Sequence, residues 1–294
     1  MGEGPSMKQA IPISWLILAV IQLAGLAGRC GQSPPATRTY PSTRLSPKGP
    51  APDIEGSSPP EMRTLTEPRT DAERLAYTSE GRTLFGYFMR PSGKGPFPAV
   101  LYAHSGFQLR DFDIDNAKEF VKRGFAVFLP TWRGENGNAG SFEMWFGEVR
   151  DAAAALDLLK NMPGIDESRL YATGHSAGGT IAMLLAETDS GLRAAAASGG
   201  SPTMYGWNYP WVPIDLSDPN ETKPRSPGEN LKQLQIPLAL FYGGDGSDGG
   251  FIPGANAMQE QAPDRITVTV VQDGSHKTAM RMSIPAMVKF FLAH

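Results

Sequence analysis

Arg169-Leu170-Tyr171-Ala172-Thr173-Gly174-His175-Ser176-Ala177-Gly178-Gly179-Thr180-Ile181-Ala182-Met183-Leu184-Leu185-Ala186-Glu187 decides how this chain is read. The first five residues are strand-like, with β-branched and aromatic content. The segment from Gly179 onward has helix-forming composition. Between them lies G-x-S-x-G. A serine on such a tight strand-to-helix turn is held in a strained backbone with its hydroxyl exposed above a sheet. The flanking glycines let strand and helix approach where a side chain would collide. The N-terminus of the following helix directs its positive dipole end at the place where an oxyanion would form. The bland alternative is a glycine-rich loop whose serine only caps a helix.

If Ser176 is a nucleophile, a base and an acid should follow it in the order Ser, Asp or Glu, His. Only four histidines are present. His104 precedes the serine, His175 adjoins it, and His294 is the last residue. That leaves His276, expected in a loop after the β-branched run Arg265 to Val271. The acid should leave a strand between the two, and Ile236 to Tyr242 is that strand. It runs into Gly243-Gly244-Asp245-Gly246-Ser247-Asp248-Gly249-Gly250, where two aspartates compete. Asp248 is preferred and Asp245 is the alternative; either could instead form an Asx-turn.

From about residue 74 onward the chain resembles the dienelactone hydrolase and prolyl oligopeptidase group of α/β-hydrolases. The resemblance is carried by Pro96 to Gly106, Leu129-Pro130-Thr131-Trp132-Arg133-Gly134, Glu148-Val149-Arg150-Asp151, the Gly174 turn, and the Asp248 to Pro253 segment. In that group the acid is followed by a hydrophobic pair and proline. Phe251-Ile252-Pro253 stands at that spacing from Asp248 and not from Asp245. The resemblance implies a Ser176, His276, Asp248 triad. It also implies an oxyanion hole built from the Ala177 amide and that of Gly106 or Phe107. Here the sequence departs from the group, with His104-Ser105-Gly106 where His-Gly is usual. His104 is expected to brace this loop, and Arg133 to brace the active-site loops.

The catalytic domain is placed at residues 71–294. Strand and helix patterns alternate along it: strands at 82–89, 99–104, 125–129, 192–197 and 236–242, helices at 115–123 and 147–161, and a final helix containing 285–292. Such alternation gives an α/β architecture: an α/β-hydrolase fold, a mostly parallel sheet flanked by helices. Residues 201–230 are too long for a plain connection and are expected to form a small cap insertion. Trp207, Tyr209 and Trp211 in it are candidate substrate-binding residues. Trp132, Trp145 and Phe146 are expected on the opposite wall.

Residues 1–30 read as an export segment. An uncharged apolar run from Ile11 to Gly28 follows Lys8, and Met7 makes a better start than Met1. Cys30, the only cysteine, follows Leu26-Ala27-Gly28-Arg29, close to a lipoprotein box except for Arg29. Ordinary cleavage, lipidation at Cys30 and an uncleaved membrane anchor are the three readings; the run approaches the ~20 residues that span a bilayer. Met1-Gly2 with Ser6 fits a loose myristoylation pattern, taken as an accident. Residues 31–70 are rich in proline and serine and read as a disordered linker, because they bury too little apolar surface to offset ordering entropy. The expected location is therefore periplasmic, extracellular or membrane-tethered.

A net charge of −3 supplies no basic patch for nucleic acid. No H-x-x-x-H, C-x-x-C or P-loop pattern is present, so neither a metal nor a cofactor is expected. The expected substrate is a small ester or a short peptide. The competing readings are a carboxylic-ester hydrolase, a prolyl oligopeptidase-like peptidase, and a non-catalytic binding module. The oligomeric state is not encoded in any motif.

Overall fold

The computed structural model describes residues 38–39, 62, 67–188, 190–204 and 214–294. Strand β1 (Arg38–Thr39) pairs with β2 (Glu73–Ser79). β2 and β3 (Arg82–Met89) form an antiparallel hairpin about Glu80 and Gly81, whose φ angles are 47° and 78°. Two successive positive φ values mark the turn whose twist matches that of the flanking strands.

Beyond the hairpin the chain winds through β4 (Phe97–Ala103), α1 (Asp111–Val121), β5 (Ala126–Pro130), α2 (Phe146–Lys160), β6 (Ile165–His175), α3 (Ala177–Ala186) and β7 (Ala194–Ser198). It continues through the four-residue α4 (Pro219–Thr222), β8 (Leu238–Gly243), α5 (Ile252–Gln261), β9 (Ile266–Val271) and α6 (His276–Ala293). Strand order in the sheet is β1-β2-β3-β5-β4-β6-β7-β8-β9. Every pair from β5 to β9 is parallel, while β3 is antiparallel to both neighbours.

Helices cover both faces. Ala99, Leu101, Leu170 and Ala172 point into a core shared with Leu156 of α2 and Ile181 of α3. Val100, Tyr102 and Tyr171 point into a second core with Phe120 of α1 and Phe291 of α6. Residues one apart on a strand serve opposite cores, as the two-residue period requires. The β7 sequence, four alanines and a serine, is buried throughout, and small side chains let helices approach it from both sides.

Several boundaries differ from the sequence reading. α1 begins at Asp111, four residues earlier than expected, because the Asp113 carboxylate accepts the Arg110 N–H and fixes the first turn. β2 and α5 were not anticipated. The final helix starts at His276 instead of leaving it in a loop. Ser275 caps it by accepting the Thr278 N–H at 3.2 Å, and Thr278 Oγ1 accepts the Ser275 N–H at 2.8 Å.

Candidate active site

Ser176 sits between β6 and α3 with φ 56° and ψ −119°, a conformation that L-residues rarely adopt. Packing enforces the turn. A Cβ on Gly178 would lie 2.1 Å from the Ala103 carbonyl oxygen and 2.4 Å from that of His104. Glycine there brings the first turn of α3 against the end of β4, so the 104–107 loop stands beside the Ala177 amide.

The His276 Nε2 lies 3.0 Å from Ser176 Oγ, and its Nδ1 lies 2.5 Å from Asp248 Oδ1. Asp248 is wholly buried, and its Oδ2 accepts the Gly243 N–H at 2.6 Å. A buried carboxylate facing Nδ1 places the imidazole proton there and leaves Nε2 free to accept the serine proton. Asp245 is exposed and does not touch the ring. Its Oδ1 accepts from the Ser247 N–H and hydroxyl, and Ser247 Oγ in turn accepts the His276 N–H at 2.6 Å. The two competing aspartates thus hold the same histidine in different ways: Asp248 by its ring, Asp245 by its backbone through one serine.

His175 is part of the site and does not point away from it. Its ring centroid lies 4.7 Å from that of His276, and its Nδ1–H donates to the Ser198 carbonyl at 3.1 Å. That carbonyl also accepts the Ser176 N–H at 2.9 Å. Burial, and then the neighbouring His276, push the His175 imidazole down to about 4. The ring is therefore neutral beside the catalytic candidate.

His104 is fully buried, stacked on Trp132, with Nε2 3.0 Å from Glu135 Oε2. Burial alone would depress its imidazole, but the adjacent Glu135 outweighs burial and holds it above the ordinary histidine value. Asp113 Oδ1 accepts the Ser105 N–H at 2.9 Å. His104 and Asp113 together anchor the loop that carries Gly106 and Phe107. Glu135 and Asp113 were missed at the sequence level; no spacing rule links either to the histidine or the loop it supports.

A cavity of about 330 Å³ opens at Ser176, lined by Ser105, Gly106, Phe112, His175 and His276 among others. Gly106 thus faces the nucleophile, while the Phe107 ring packs edge-on against Phe142. Trp207, Tyr209, Trp211 and Cys30 lie outside the described residues, as does the export segment. Trp132 and Trp145 are not cavity walls as expected: both are buried in the core, at 1% and 2% exposure. Phe146 heads α2, where the Arg150 and Arg225 guanidinium groups lie 4.4 and 4.9 Å from its ring centre.

Arg133 braces the loops from beneath. Its guanidinium pairs two-pronged with Asp151 at 2.7 and 2.9 Å, and also reaches Glu143 and Glu80, each at 2.8 Å. Glu148, buried beside this network, has its carboxyl pushed up to about 8 by burial. Among the described residues no group of three or more His, Cys, Asp or Glu could hold a metal ion.

A protein-family model, the X-Pro dipeptidyl-peptidase (S15) family, matches residues 81–211. The acylaminoacyl peptidase of Pyrococcus horikoshii superposes over 76% of this chain and 41% of its own, at a TM-score of 0.62 and 14% identity. A putative dienelactone hydrolase from Klebsiella pneumoniae superposes over 76% of this chain and 98% of its own, at a TM-score of 0.60 and 19% identity. The chain has the α/β-hydrolase fold. This α/β-hydrolase is also 28% identical to an uncharacterized peptidase, YtmA, of Bacillus subtilis over 185 residues, 58% of this chain and 71% of that one. A putative carboxymethylenebutenolidase of Methylorubrum extorquens shares 23% identity over 171 residues, 54% of each chain. The chain spans about two fifths of the Pyrococcus peptidase it resembles.

Proposed function

We propose that this serine hydrolase cleaves carboxylic esters through an acyl-enzyme on Ser176. The observation that carries the reading is the continuous row Ser176, His276, Asp248, with contacts of 3.0 and 2.5 Å, facing an open cavity. Ser176 Oγ attacks the carbonyl carbon while His276 Nε2 takes its proton. The tetrahedral oxyanion is met by the Ala177 amide and by that of Gly106 or Phe107, each such donor contributing ~3–4 kcal/mol. His276 returns the proton to the leaving oxygen as the C–O bond breaks. A water, deprotonated by the same nitrogen, then attacks the acyl-enzyme, and Ser176 Oγ leaves with the proton back on it. Asp248 holds the tautomer and stabilises the transient imidazolium.

Ester cleavage is supported by the match over nearly the whole length of a putative dienelactone hydrolase. The second reading, a peptidase, is supported by the S15 family match and by the Bacillus relative. Fluorophosphonate labelling of wild type and Ser176→Ala, with parallel assays on short 4-nitrophenyl esters and peptide anilides, separates them. Labelling at Ser176 with ester turnover is the expected result. Cleavage of anilides alone would transfer the assignment to peptidase, and no labelling would return the chain to the binding-module reading. The proposal includes export, resting on the apolar run at residues 11–28; the fraction of the cell that holds the labelled protein tests it.

A further inference from the structure

Two consecutive residues hold opposite ends of the loop beside the nucleophile. Glu135 and Asn136 follow β5 in the segment that leads to α2, and both are buried. Glu135 Oε2 lies 3.0 Å from Nε2 of His104, at the start of the loop. Asn136 closes the other end. Its Oδ1 accepts the Leu109 N–H at 2.9 Å, and its Nδ2–H donates to the Leu109 carbonyl at 3.4 Å. One carboxamide thus answers both backbone groups of a single residue, as an antiparallel strand would. Asn136 is itself pinned. Its φ is 48°, and its own N–H donates to the Met62 carbonyl at 3.0 Å. A side chain in the left-handed region persists where its surroundings over-determine it.

Between these two clamps lies the part of the loop that the chemistry needs. Gly106 lines the cavity at Ser176. The carbonyl of the preceding Ser105 lies 3.3 Å from His104 Nδ1. A trans peptide directs its N–H and C=O to opposite sides, so anchoring that carbonyl aims the Gly106 N–H away from His104. From the α1 side, Asp113 accepts the Ser105 and Arg110 N–H groups at 2.9 and 3.2 Å. A donor stabilises an oxyanion to the extent that it already stands where the charge will develop. A glycine-bearing loop has no such rigidity of its own.

We infer that Asn136 is a positioning residue for oxyanion stabilisation. With Glu135 it holds the two ends of residues 104–109, so that the amide of Gly106 or Phe107 stands beside that of Ala177. This rests on the serine hydrolase reading above and adds to it a residue that acts through the loop and not on the substrate.

The test uses 4-nitrophenyl butyrate and its thionoester, in which sulfur replaces the carbonyl oxygen. Sulfur is larger and a weaker hydrogen-bond acceptor, so well-placed N–H donors favour the oxygen ester and misplaced ones do not. Each kcat/KM is taken per active site titrated with a fluorophosphonate and divided by the ester's alkaline hydrolysis rate. The folded fraction then cancels from the oxygen-to-sulfur ratio. Asn136→Gly deletes the carboxamide while glycine keeps the left-handed backbone. The ratio should fall roughly tenfold, a part of what one whole donor supplies. The loss should lie in kcat, with KM within about twofold of wild type. Asn136→Asp keeps an oxygen for the Leu109 N–H and should hold the ratio within about threefold of wild type. Asn138 is a buried carboxamide of the same segment that bonds only to Thr131 and Trp132. Asn138→Ala should lower the thermal midpoint and leave the ratio unchanged.

A ratio unchanged in Asn136→Gly, or lowered equally in Asn136→Asp or Asn138→Ala, overturns the assignment. Should the glycine variant yield no titratable enzyme, Asn136→Ser, too short to span to Leu109, is read the same way. If Ser176 labels without turning over either ester, labelling rates with a phosphonyl fluoride and its thiophosphonyl counterpart give the same ratio. Absence of all labelling and turnover in wild type would instead count against the hydrolase reading itself.

Discussion

The ring of His175 lies 4.7 Å from that of His276, the two inclined at 42°, and burial keeps His175 neutral at neutral pH. His175 is 4% exposed and spends its Nδ1–H on the Ser198 carbonyl. A second imidazolium at that distance would oppose the one that His276 becomes during catalysis. Burial prevents it.

That arrangement makes folding stability depend on pH. The folded chain refuses the His175 proton until about pH 4, whereas an unfolded histidine takes it near 6.5. As pH falls through that window the unfolded state binds more protons, so stability drops, by on the order of 3 kcal/mol when complete. His175→Phe keeps a ring against His276 but removes the titration. Thermal midpoints of variant and wild type, measured from pH 7 to pH 4, should converge or cross as the acid end is approached. Parallel curves would show that His175 does not carry the effect.

The two aspartates should separate cleanly. Asp248→Asn removes the acceptor of the Nδ1 proton and invites the wrong tautomer, so kcat is expected to fall by ~10⁴-fold. Asp245→Asn loosens only the Ser247 link to the His276 backbone, and a loss under about tenfold is expected. Steady-state rates on a neutral ester decide this; a larger loss from Asp245 would reverse their roles.

Gly178→Ala should be disproportionately harmful for a single methyl. The new Cβ would meet backbone oxygens of residues 103 and 104 at 2.1 and 2.4 Å, atoms that cannot swing aside. We expect destabilisation of roughly 3–5 kcal/mol, with residual protein slow to label because the oxyanion loop is displaced. A chemical denaturation midpoint close to wild type would contradict the packing argument.

Glu148 offers a test in the opposite pH direction. Its folded carboxyl titrates at about 8, above the 4.5 of an unfolded glutamate. Between those values the folded state holds a proton that the unfolded state has released. Stability contributed by this group is therefore present at pH 4.5 and lost as pH rises toward 8. Glu148→Gln, which stays neutral and can still accept the Glu143 N–H made at 2.7 Å, should gain on wild type in thermal midpoint between pH 6 and pH 9. An unchanged difference across that range would remove Glu148 from the account.

Arg133→Lys tests the brace beneath the loops. A lysine has one ammonium where Asp151, Glu143 and Glu80 now share a planar fork. Leaving buried carboxylates short of a partner is expected to cost about 3–5 kcal/mol. Urea unfolding reads it, and wild-type stability would mean that water replaces the lost contacts.

Much of this protein was written locally. The strand, turn and helix around Ser176 were legible because apolar runs, glycine spacing and helix-forming composition act over a few residues, and the alternation of such segments dictates a parallel sheet with covered faces. The order serine, acid, histidine followed from where strands end. What the chain could not declare by itself depends on contacts across long separations. His276 meets Ser176 from 100 residues away and Asp248 from 28. Asp245 and Asp248 sit three residues apart on one glycine-rich loop, and the fold of that loop buries Asp248 and exposes Asp245. Trp132 and Trp145 looked like pocket walls because aromatic residues near a site carry no label for which side of the sheet they face, and packing placed them in the core. Glu135 beneath His104 had no local signal at all. Short-range propensities fix the elements; burial, which is summed over the whole packed chain, decides which polar groups meet and which are left facing the cavity.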